Sequence, residues 1–133
     1  MSTGQILVEI SDTLSPMTHP YISTDKPIAF AHRGGASDEP ENSMPAFQRA
    51  IDLGYRYIET DVHSTRDGVL IAFHDDDLLR TCGKPGVISE MDYEQVCEYR
   101  INGKEHIPLL QEILDAWPHA MVNIDCKADT AVE

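Results

Sequence analysis

Apolar and polar residues alternate most clearly in "YRYIETDVH", residues 55–63. Successive side chains of a strand point to opposite faces, so a strand here places Glu59 and Asp61 on one face and apolar residues on the other. A shorter apolar run, "IAFAH" at 28–32, predicts a buried strand that ends at "RGG". A third alternating segment, "AMVNIDCKAD" at 120–129, predicts another strand. Two of these three strands carry carboxylates on one face.

A helix is predicted between the first two strands, in "ENSMPAFQRAIDLG" at 41–54. Asn42 or Ser43 can cap it, and Pro45 falls in the first turn, where a missing N–H costs nothing. Gly54 supplies the stop. The apolar face of this helix, which is predicted to point to the core, consists of Phe47, Ala50 and Ile51. The order strand, helix, strand predicts a parallel pair with a right-handed crossover.

A hairpin is predicted after the second strand. Asp67 and Gly68 lie between two strand-like runs, which is a strong signal for a tight turn. Residues 69–74 would then run antiparallel to the second strand. This excursion returns His74 to the end of that strand, close to Asp61.

Two further helices are predicted before the last strand. The first runs from about residue 92 to residue 100, with Ser89 as a possible cap. The second lies in "IPLLQEILDAW" at 107–117, with Pro108 at its start. Its predicted apolar face consists of Leu110, Ile113, Leu114 and Trp117.

The predicted order is therefore β-α-β-hairpin-α-α-β, which fits a TIM (β/α)8 barrel. In such a barrel helices cover the apolar outer faces of the strands, and ligands bind at the C-terminal strand ends. Three strands cannot close a barrel of eight. We therefore predict an α/β fold in which this chain covers about the first three strands plus a hairpin insertion. Residues 1–26 are predicted to form a leader or arm, and residues 27–133 the N-terminal part of an incomplete barrel domain.

The composition narrows the classes of partner. A net charge of −13, from 23 acidic and 10 basic residues, argues against non-specific nucleic-acid binding. An anionic substrate would need a local positive cluster or a metal. We see no secretory signal and no run long enough to span a membrane, so the predicted location is cytoplasmic. Cys82, Cys97 and Cys126 lack paired spacing and predict reduced, buried thiols. Nothing indicates the oligomeric state.

The strand carboxylates are the first candidates for chemistry. Glu59 and Asp61 are two residues apart on one strand, so they lie roughly 6–7 Å apart along it. Two inward acids this close repel each other unless a cation lies between them. A hard divalent ion, Mg²⁺ or Ca²⁺, prefers such oxygen ligands. Asp125 on the third strand is the natural third ligand. The alternative interpretation is a solvated polar strand face.

Histidine and basic residues fall at the same predicted strand ends. His32 ends the first strand and His74 ends the hairpin, so both can reach the end of the barrel where the C-terminal ends of the strands meet. Imidazoles titrate near neutral pH and suit general acid and base catalysis. Arg33 and Lys127 are the local positive charges that an anionic substrate requires. Taken singly, each histidine is better explained as an ordinary core or surface residue, and Arg33 and Lys127 are each better explained as surface charge.

Several of these residues lie in motifs that resemble those of a known family. "HRGG…PENSMPAFQRAIDLGYRYIETDVHSTRDGVLIAFHD" resembles the glycerophosphodiester phosphodiesterase family, with its HRG, PEN, E-x-D-V and HD elements in order. "IPLLQEIL" and "NIDCK" resemble two later segments, and the similarity runs from about Ile28 to Lys127. The resemblance implies a TIM-barrel hydrolase that uses a divalent cation. Its substrates would be glycerophosphodiesters such as deacylated phospholipids, and its products glycerol 3-phosphate and an alcohol.

The resemblance also implies roles at the matching positions of this chain. The acid/base pair would be His32 and His74. The metal ligands would be Glu59, Asp61 and Asp125. The phosphate would be supported by Arg33 and Lys127. Asn42 would orient the first loop near His32. The third acid is more often Glu in the family, and Asp125 is shorter by one methylene.

Two alternatives stay open at this point. A sphingomyelinase D-like phospholipase also has an E-x-D pair on a related barrel, and its acid-x-Lys segment carries Asp, as here. The "HRGG" and "PENS" elements fit the phosphodiesterase pattern better. The second alternative is a chain without catalysis of its own, either a binding module or a fragment.

Overall fold

The computed structural model describes residue 21 and residues 24–35 and 38–132. The strands in this part of the chain are β1 (Phe30–Ala31), β2 (Tyr57–Ser64), β3 (Leu70–Ala72), β4 (Arg100–Ile101), β5 (Glu105–His106) and β6 (Met121–Cys126). The α-helices are α1 (Met44–Asp52), α2 (Leu79–Cys82), α3 (Tyr93–Val96) and α4 (Leu110–Ala116). Short 3₁₀ turns lie at His32–Gly34, Ile88–Glu90 and Asp129–Ala131. None of these described helices is long and apolar enough to cross a membrane.

The sheet is organised around β2. β1 and β6 pair with it in parallel on opposite sides, and Asp61 lies directly opposite Asp125. β3 pairs antiparallel with the last residues of β2. It lies on the same side of β2 as β1, which pairs with the first residues of β2. The predicted parallel pair and the predicted hairpin are both confirmed. β1 is shorter than predicted: it begins at Phe30 rather than Ile28, and it ends at Ala31, after which Arg33 adopts a left-handed conformation (φ 52°) and turns the chain out of the sheet.

α1 forms the crossover between β1 and β2, as predicted. Ser43 is its N-cap, since its hydroxyl accepts a hydrogen bond from the N–H of Ala46 at 3.3 Å. Phe47 is buried in one cluster with Ile58 of β2 and Ile113 of α4. The apolar face of β2 therefore meets helices, and its carboxylates face the other way.

The insertion after β3 differs from the prediction. The helix predicted at 92–100 is wrong in length, since α3 is a single turn, and its N-cap is Asp92 rather than Ser89. The chain then forms a second hairpin, β4–β5. Its turn residues, Asn102 and Gly103, have φ values of 50° and 72°. An Asn-Gly pair at two left-handed positions specifies a tight hairpin turn, which pairs Arg100 with His106, so the last residue of the predicted helix lies in a strand instead.

Two apolar predictions also need correction. Leu114 of α4 is 38% exposed, whereas Ile113 is fully buried, so the predicted inward face is too wide. The predicted thiols are free, but only Cys82 and Cys97 are partly buried. Cys126 is exposed, because no element of the described residues covers that face of β6.

An aromatic cluster lies at the start of the strands. The ring of Tyr57 packs 5.3 Å from Phe30 and 5.4 Å from Tyr21, measured between ring centroids. The Tyr57 hydroxyl also donates a hydrogen bond to the Tyr21 carbonyl at 2.5 Å. Tyr57 lies on the same face of β2 as Glu59 and Asp61, at the opposite end. Residues 1–20 and 22–23 lie outside the described residues, so the leader at 1–26 stays a prediction.

Candidate functional site

Three carboxylates meet on one face of the parallel strands. Glu59 and Asp61 come from β2, and Asp125 lies opposite Asp61 on β6. One oxygen from each lies within 4.8 Å of the other two. Glu59 and Asp61 are buried, and Asp125 is exposed. An all-oxygen set at this spacing matches what a hard divalent cation prefers, so these residues could hold one ion.

Lys127 lies among these acids. Its ammonium donates a hydrogen bond to Asp125 Oδ2 at 2.6 Å and lies 3.1 Å from Asp61 Oδ1. The hydrogen bond from Lys127 lowers the pKa of Asp125, and the same bond raises the pKa of Lys127. Two of the three acids therefore share a protein cation.

His32 and Arg33 approach the carboxylates from the end of β1. The backbone N–H of Arg33 donates to Glu59 Oε2 at 2.9 Å, and His32 Nε2 lies 3.8 Å from the same oxygen. The His32 side chain is 70% exposed, so its ring is open to a ligand. Arg33 Nη1 donates to Glu41 Oε2 at 2.6 Å. The buried Arg33 Nε lies 3.2 Å from Asp61 Oδ2 without the alignment of a hydrogen bond.

Asn42 connects the first loop to the carboxylates. Its side-chain N–H donates to Asp61 Oδ2 at 2.9 Å, and its Oδ1 accepts from the Thr60 hydroxyl at 2.9 Å. Its backbone N–H donates to the Arg33 carbonyl at 3.0 Å. Asn42 is buried and has a φ of 54°, a conformation that Asn tolerates better than most residues. The side chain expected to orient the first loop thus also holds Asp61.

His74 follows directly on the hairpin. The N–H of Phe73 donates to the Asp61 carbonyl at 2.9 Å, which fixes the chain beside β2. His74 Nδ1 lies 2.6 Å from Asp75 Oδ1. The hydrogen bond from Lys127 is the main cause of the lowered pKa of Asp125, and His74 adds a smaller contribution. The hairpin therefore brings His74 to the carboxylates, as predicted from the Asp-Gly turn.

Four polar residues support this arrangement and were not among the predicted site residues. Glu41 and Asp75 belong to the PEN and HD elements, which therefore contained a signal for them. His63 Nε2 lies 3.0 Å from the His74 carbonyl, and because a carbonyl only accepts, that nitrogen carries a proton. Arg80 had no signal in the sequence, since it lies in a one-turn helix six residues after His74.

Ion pairs connect three of these supporting residues, Glu41, Asp75 and Arg80. Arg80 donates to Asp75 twice, from Nε at 2.6 Å and from Nη2 at 2.9 Å. Hydrogen bonds from Arg80 and His74 hold the pKa of Asp75 far below its usual range, and the pKa of Arg80 is raised. Burial would raise the pKa of Glu41, but hydrogen bonds from Arg33 and Arg80 outweigh it and lower that pKa.

Fold and site together define a class of protein. The strands β1, β2 and β6 are parallel, helices cover one face, and an oxygen-donor site with two nearby histidines lies on the other face. This is the arrangement of a (β/α) barrel with its ligand site at the C-terminal strand ends. Comparison with known proteins identifies the family. The profile of the "Glycerophosphoryl diester phosphodiesterase family" matches residues 32–133, and the chain belongs to this family.

Curated relatives extend well beyond the matched region. The chain is 47% identical over 107 residues to "Probable glycerophosphodiester phosphodiesterase 2" of Mycobacterium tuberculosis, covering 80% of this chain and 40% of that protein. It is 36% identical over 115 residues to "Lysophospholipase D GDPD1" of Homo sapiens, covering 77% of this chain and 37% of that protein. The chain thus spans about two fifths of the length of these relatives.

Solved structures of the family share the fold. A glycerophosphodiester phosphodiesterase from Agrobacterium tumefaciens superposes with a TM-score of 0.72 at 29% identity, over 76% of this chain and 47% of that one. An Oleispira antarctica phosphodiesterase in complex with the product sn-glycerol-3-phosphate superposes with a TM-score of 0.71 at 28% identity, over 76% and 44%. The predicted TIM-barrel fold, of which this chain forms a part, is confirmed.

Proposed function

We propose that the protein hydrolyses glycerophosphodiesters to glycerol 3-phosphate and an alcohol. One observation carries the proposal: oxygens of Glu59, Asp61 and Asp125 lie within 4.8 Å of one another, on the strand face that His32 and His74 approach. Membership of the family and the product bound to a structural neighbour support the same substrate class.

The carboxylates would hold the divalent ion. Glu59, Asp61 and Asp125 offer only oxygen ligands, which suits Mg²⁺ or Ca²⁺. When bound, such an ion supplies Lewis-acid polarisation of a phosphoryl oxygen. Asn42 keeps Asp61 oriented through its hydrogen bond of 2.9 Å. Lys127 balances the charge of Asp61 and Asp125 and would contact the phosphate from the same side.

The two histidines would move the protons. One takes the proton of the attacking oxygen, which belongs to water or to the 2-hydroxyl of the substrate itself, and the other gives a proton to the leaving alcohol. The Nδ1 of His74 is hydrogen-bonded to Asp75, so Nε2 is the ring nitrogen that would accept or donate the proton. Arg33 and Lys127 would stabilise charge on the phosphoryl oxygens.

Substitution of the histidines tests the mechanism. His32→Ala and His74→Ala in the full-length protein should each reduce kcat on glycerophosphocholine by about a hundredfold or more. His119→Ala is the matched control, because His119 is exposed in the turn before β6 and should leave the rate unchanged. Rates within threefold of wild type for either site variant would refute the assignment.

Metal binding is tested separately by titration calorimetry with Mg²⁺ and with Ca²⁺. Glu59→Gln should weaken the affinity by about tenfold or more, because it removes one charged ligand. Asp115→Asn is the control, since Asp115 is an exposed carboxylate on α4 that bonds to Gln111. Equal affinity in both variants would place the ion elsewhere. A chain that binds the ion but has no turnover would instead match the non-catalytic alternative.

A second candidate function is phospholipase D-like hydrolysis of lysophospholipids. The human relative named lysophospholipase D is 36% identical to this chain. The acid-x-Lys segment also carries Asp125, as in the sphingomyelinase D-like alternative. Comparing kcat/KM for glycerophosphocholine, lysophosphatidylcholine and sphingomyelin separates these functions. Preference for lysophosphatidylcholine would favour the second candidate, and preference for sphingomyelin would favour the sphingomyelinase D-like alternative.

A further inference from the structure

Arg80 connects two loops that are distant in the sequence. Its Nε and Nη2 donate hydrogen bonds to the two carboxylate oxygens of Asp75, which lies in the loop after β3. The same Nη2 bonds to Glu41, which lies 39 residues earlier in the loop before α1. An arginine presents its donors in a rigid planar fork, so it can hold two carboxylates in one fixed arrangement.

The first carboxylate controls the ring of His74. Hydrogen bonds from Arg80 and His74 hold the pKa of Asp75 far below its usual range, so this carboxylate is ionised and only accepts. The proton in the contact of 2.6 Å therefore lies on His74 Nδ1. A neutral ring then has its lone pair at Nε2. Asp75 thus selects one tautomer and one orientation of the ring.

The second carboxylate controls Arg33. Glu41 accepts from Arg80 with one oxygen and from Arg33 Nη1 with the other, at 2.6 Å for Arg33. The side chain of Glu41 is only 17% exposed, so water competes weakly for these bonds. The backbone N–H of Arg33 in turn donates to Glu59. The orientation of the Arg33 guanidinium therefore depends on Glu41, and through it on Arg80.

We propose that Arg80 is a positioning residue for the hydrolysis proposed above. It holds Asp75 and Glu41 together, and so fixes the tautomer of His74 and the direction of Arg33 at the same time. This inference rests on the proposed function for its catalytic consequence. Arg80 touches neither the carboxylate ligands nor the ring of His74, and it acts through its two partners.

A matched pair of substitutions tests the catalytic consequence. Arg80→Met in the full-length protein should reduce kcat by about tenfold to a hundredfold, the usual effect of losing a partner of a site residue. Arg66→Met is the control, because Arg66 makes an equally bidentate, exposed pair with Asp92 at 2.9 and 2.7 Å, away from the site. It should stay within about twofold of wild type. Arg80→Lys, which keeps the charge and loses the fork, should fall between them.

A double-mutant cycle separates positioning from a general loss of structure. Arg80→Met should reduce kcat by a clearly smaller factor in a His74→Ala background than in wild type, because only the route through Glu41 and Arg33 remains there. An undiminished loss in that background would overturn the route through His74. Equal unfolding midpoints for Arg80→Met and Arg66→Met would show that the fold is retained.

The tautomer of His74 can be measured by NMR without any catalytic turnover. Long-range ¹H–¹⁵N spectra of the histidine rings, recorded at alkaline pH, should show His74 protonated at Nδ1 in the wild type and in Arg66→Met. Arg80→Met and Asp75→Asn should shift it toward a mixture of tautomers. An unchanged His74 spectrum in Arg80→Met would refute the inference. Absence of hydrolysis by the wild type would refute the proposed function, and the spectra would still decide the role of Arg80.

Discussion

The surroundings of the buried residue Asn42 require an amide side chain at this position. Its amide donates to Asp61 and accepts from Thr60, both at 2.9 Å, and its backbone has a φ of 54°. A carboxyl group cannot make the first bond without holding a proton. An aliphatic side chain would tolerate neither the partners nor the left-handed backbone. Asn is therefore the residue that meets all three conditions.

Asn42→Asp is expected to reduce the free energy of unfolding by about 1–3 kcal/mol, because it leaves two carboxylates facing each other without a shared donor. Urea unfolding at neutral pH measures the loss. The loss should shrink as the pH falls, since a proton on either carboxyl restores the donor. Thr60→Val, which removes only the hydroxyl donor, should cost less. A variant as stable as wild type at neutral pH would contradict this account of Asn42.

Glu41 and Asp75 predict how stability responds to acid. The pKa of each is lower in the folded chain than its usual value. A lowered pKa contributes stability above the usual carboxyl range, and that stability is lost as the pH falls through the folded value. The free energy of unfolding should therefore decrease below about pH 4.

This acid dependence should be weaker in Arg80→Met, because Asp75 loses its guanidinium partner and Glu41 keeps only that of Arg33. Urea unfolding across an acidic pH series measures the slopes, with Arg66→Met as the control for the loss of a surface arginine. The same slope in Arg80→Met and wild type would mean that other carboxyl groups govern acid unfolding.

At the level of elements, the 3₁₀ turn after β1 packs very closely on α1. A Cβ on Gly34 would lie 2.8 Å from the Cβ of Ala46, and the φ of Gly34 is 82°. Gly35 also has a positive φ, 71°, but its nearest neighbour would be Ala31 at 3.8 Å. The two glycines therefore share a backbone constraint and differ in available space.

Gly35→Ala should cost about 1–2 kcal/mol of unfolding free energy for its left-handed backbone. Gly34→Ala should cost about 1–3 kcal/mol more, because the methyl group must displace α1. Thermal or urea unfolding of both variants measures the difference. Equal losses would show that α1 can move away from the turn at little cost.

The elements that the sequence predicted well are those with a clear period. The two-residue alternation of β2 placed Glu59 and Asp61 on one face, and Asp67-Gly68 announced the hairpin. The helix predicted at 92–100 ends at Val96, and Arg100 and Ile101 pair with β5 instead, a contact that helical periodicity does not report. Arg80 could not be predicted, since its two partners meet only when distant loops pack together. Periodicity thus reports faces of elements, whereas ion pairs between loops depend on tertiary contact.

At the scale of the whole molecule, β2 is paired on both sides, and β6 is paired with β2 on one. Met121 and Lys127 donate their N–H groups to carbonyls of the β2 segment, so alternation directs those of Asn123 and Asp125 the same way. The N–H groups of Val122, Ile124 and Cys126 then point away from β2.

Amide hydrogen exchange should reveal this difference. In the 133-residue chain, Val122, Ile124 and Cys126 are expected to exchange faster than Asn123 and Asp125, because no hydrogen bond in the described sheet protects them. Two-dimensional NMR in D₂O resolves each amide, and β2 provides the slow reference. Uniform protection along β6 would show that another strand covers its outer edge.

The aromatic cluster of Tyr21, Phe30 and Tyr57 lies on the same side of the sheet as the carboxylates, but at the other end of β2. Contacts that hold the chain together and groups proposed for chemistry are thus separated along one strand. Random mutagenesis should therefore yield two largely independent classes of variant. Changes near Tyr57 would alter expression yield and heat tolerance without altering turnover, whereas changes near Asp61 would alter turnover, with a further loss of stability where they break the hydrogen bond to Asn42.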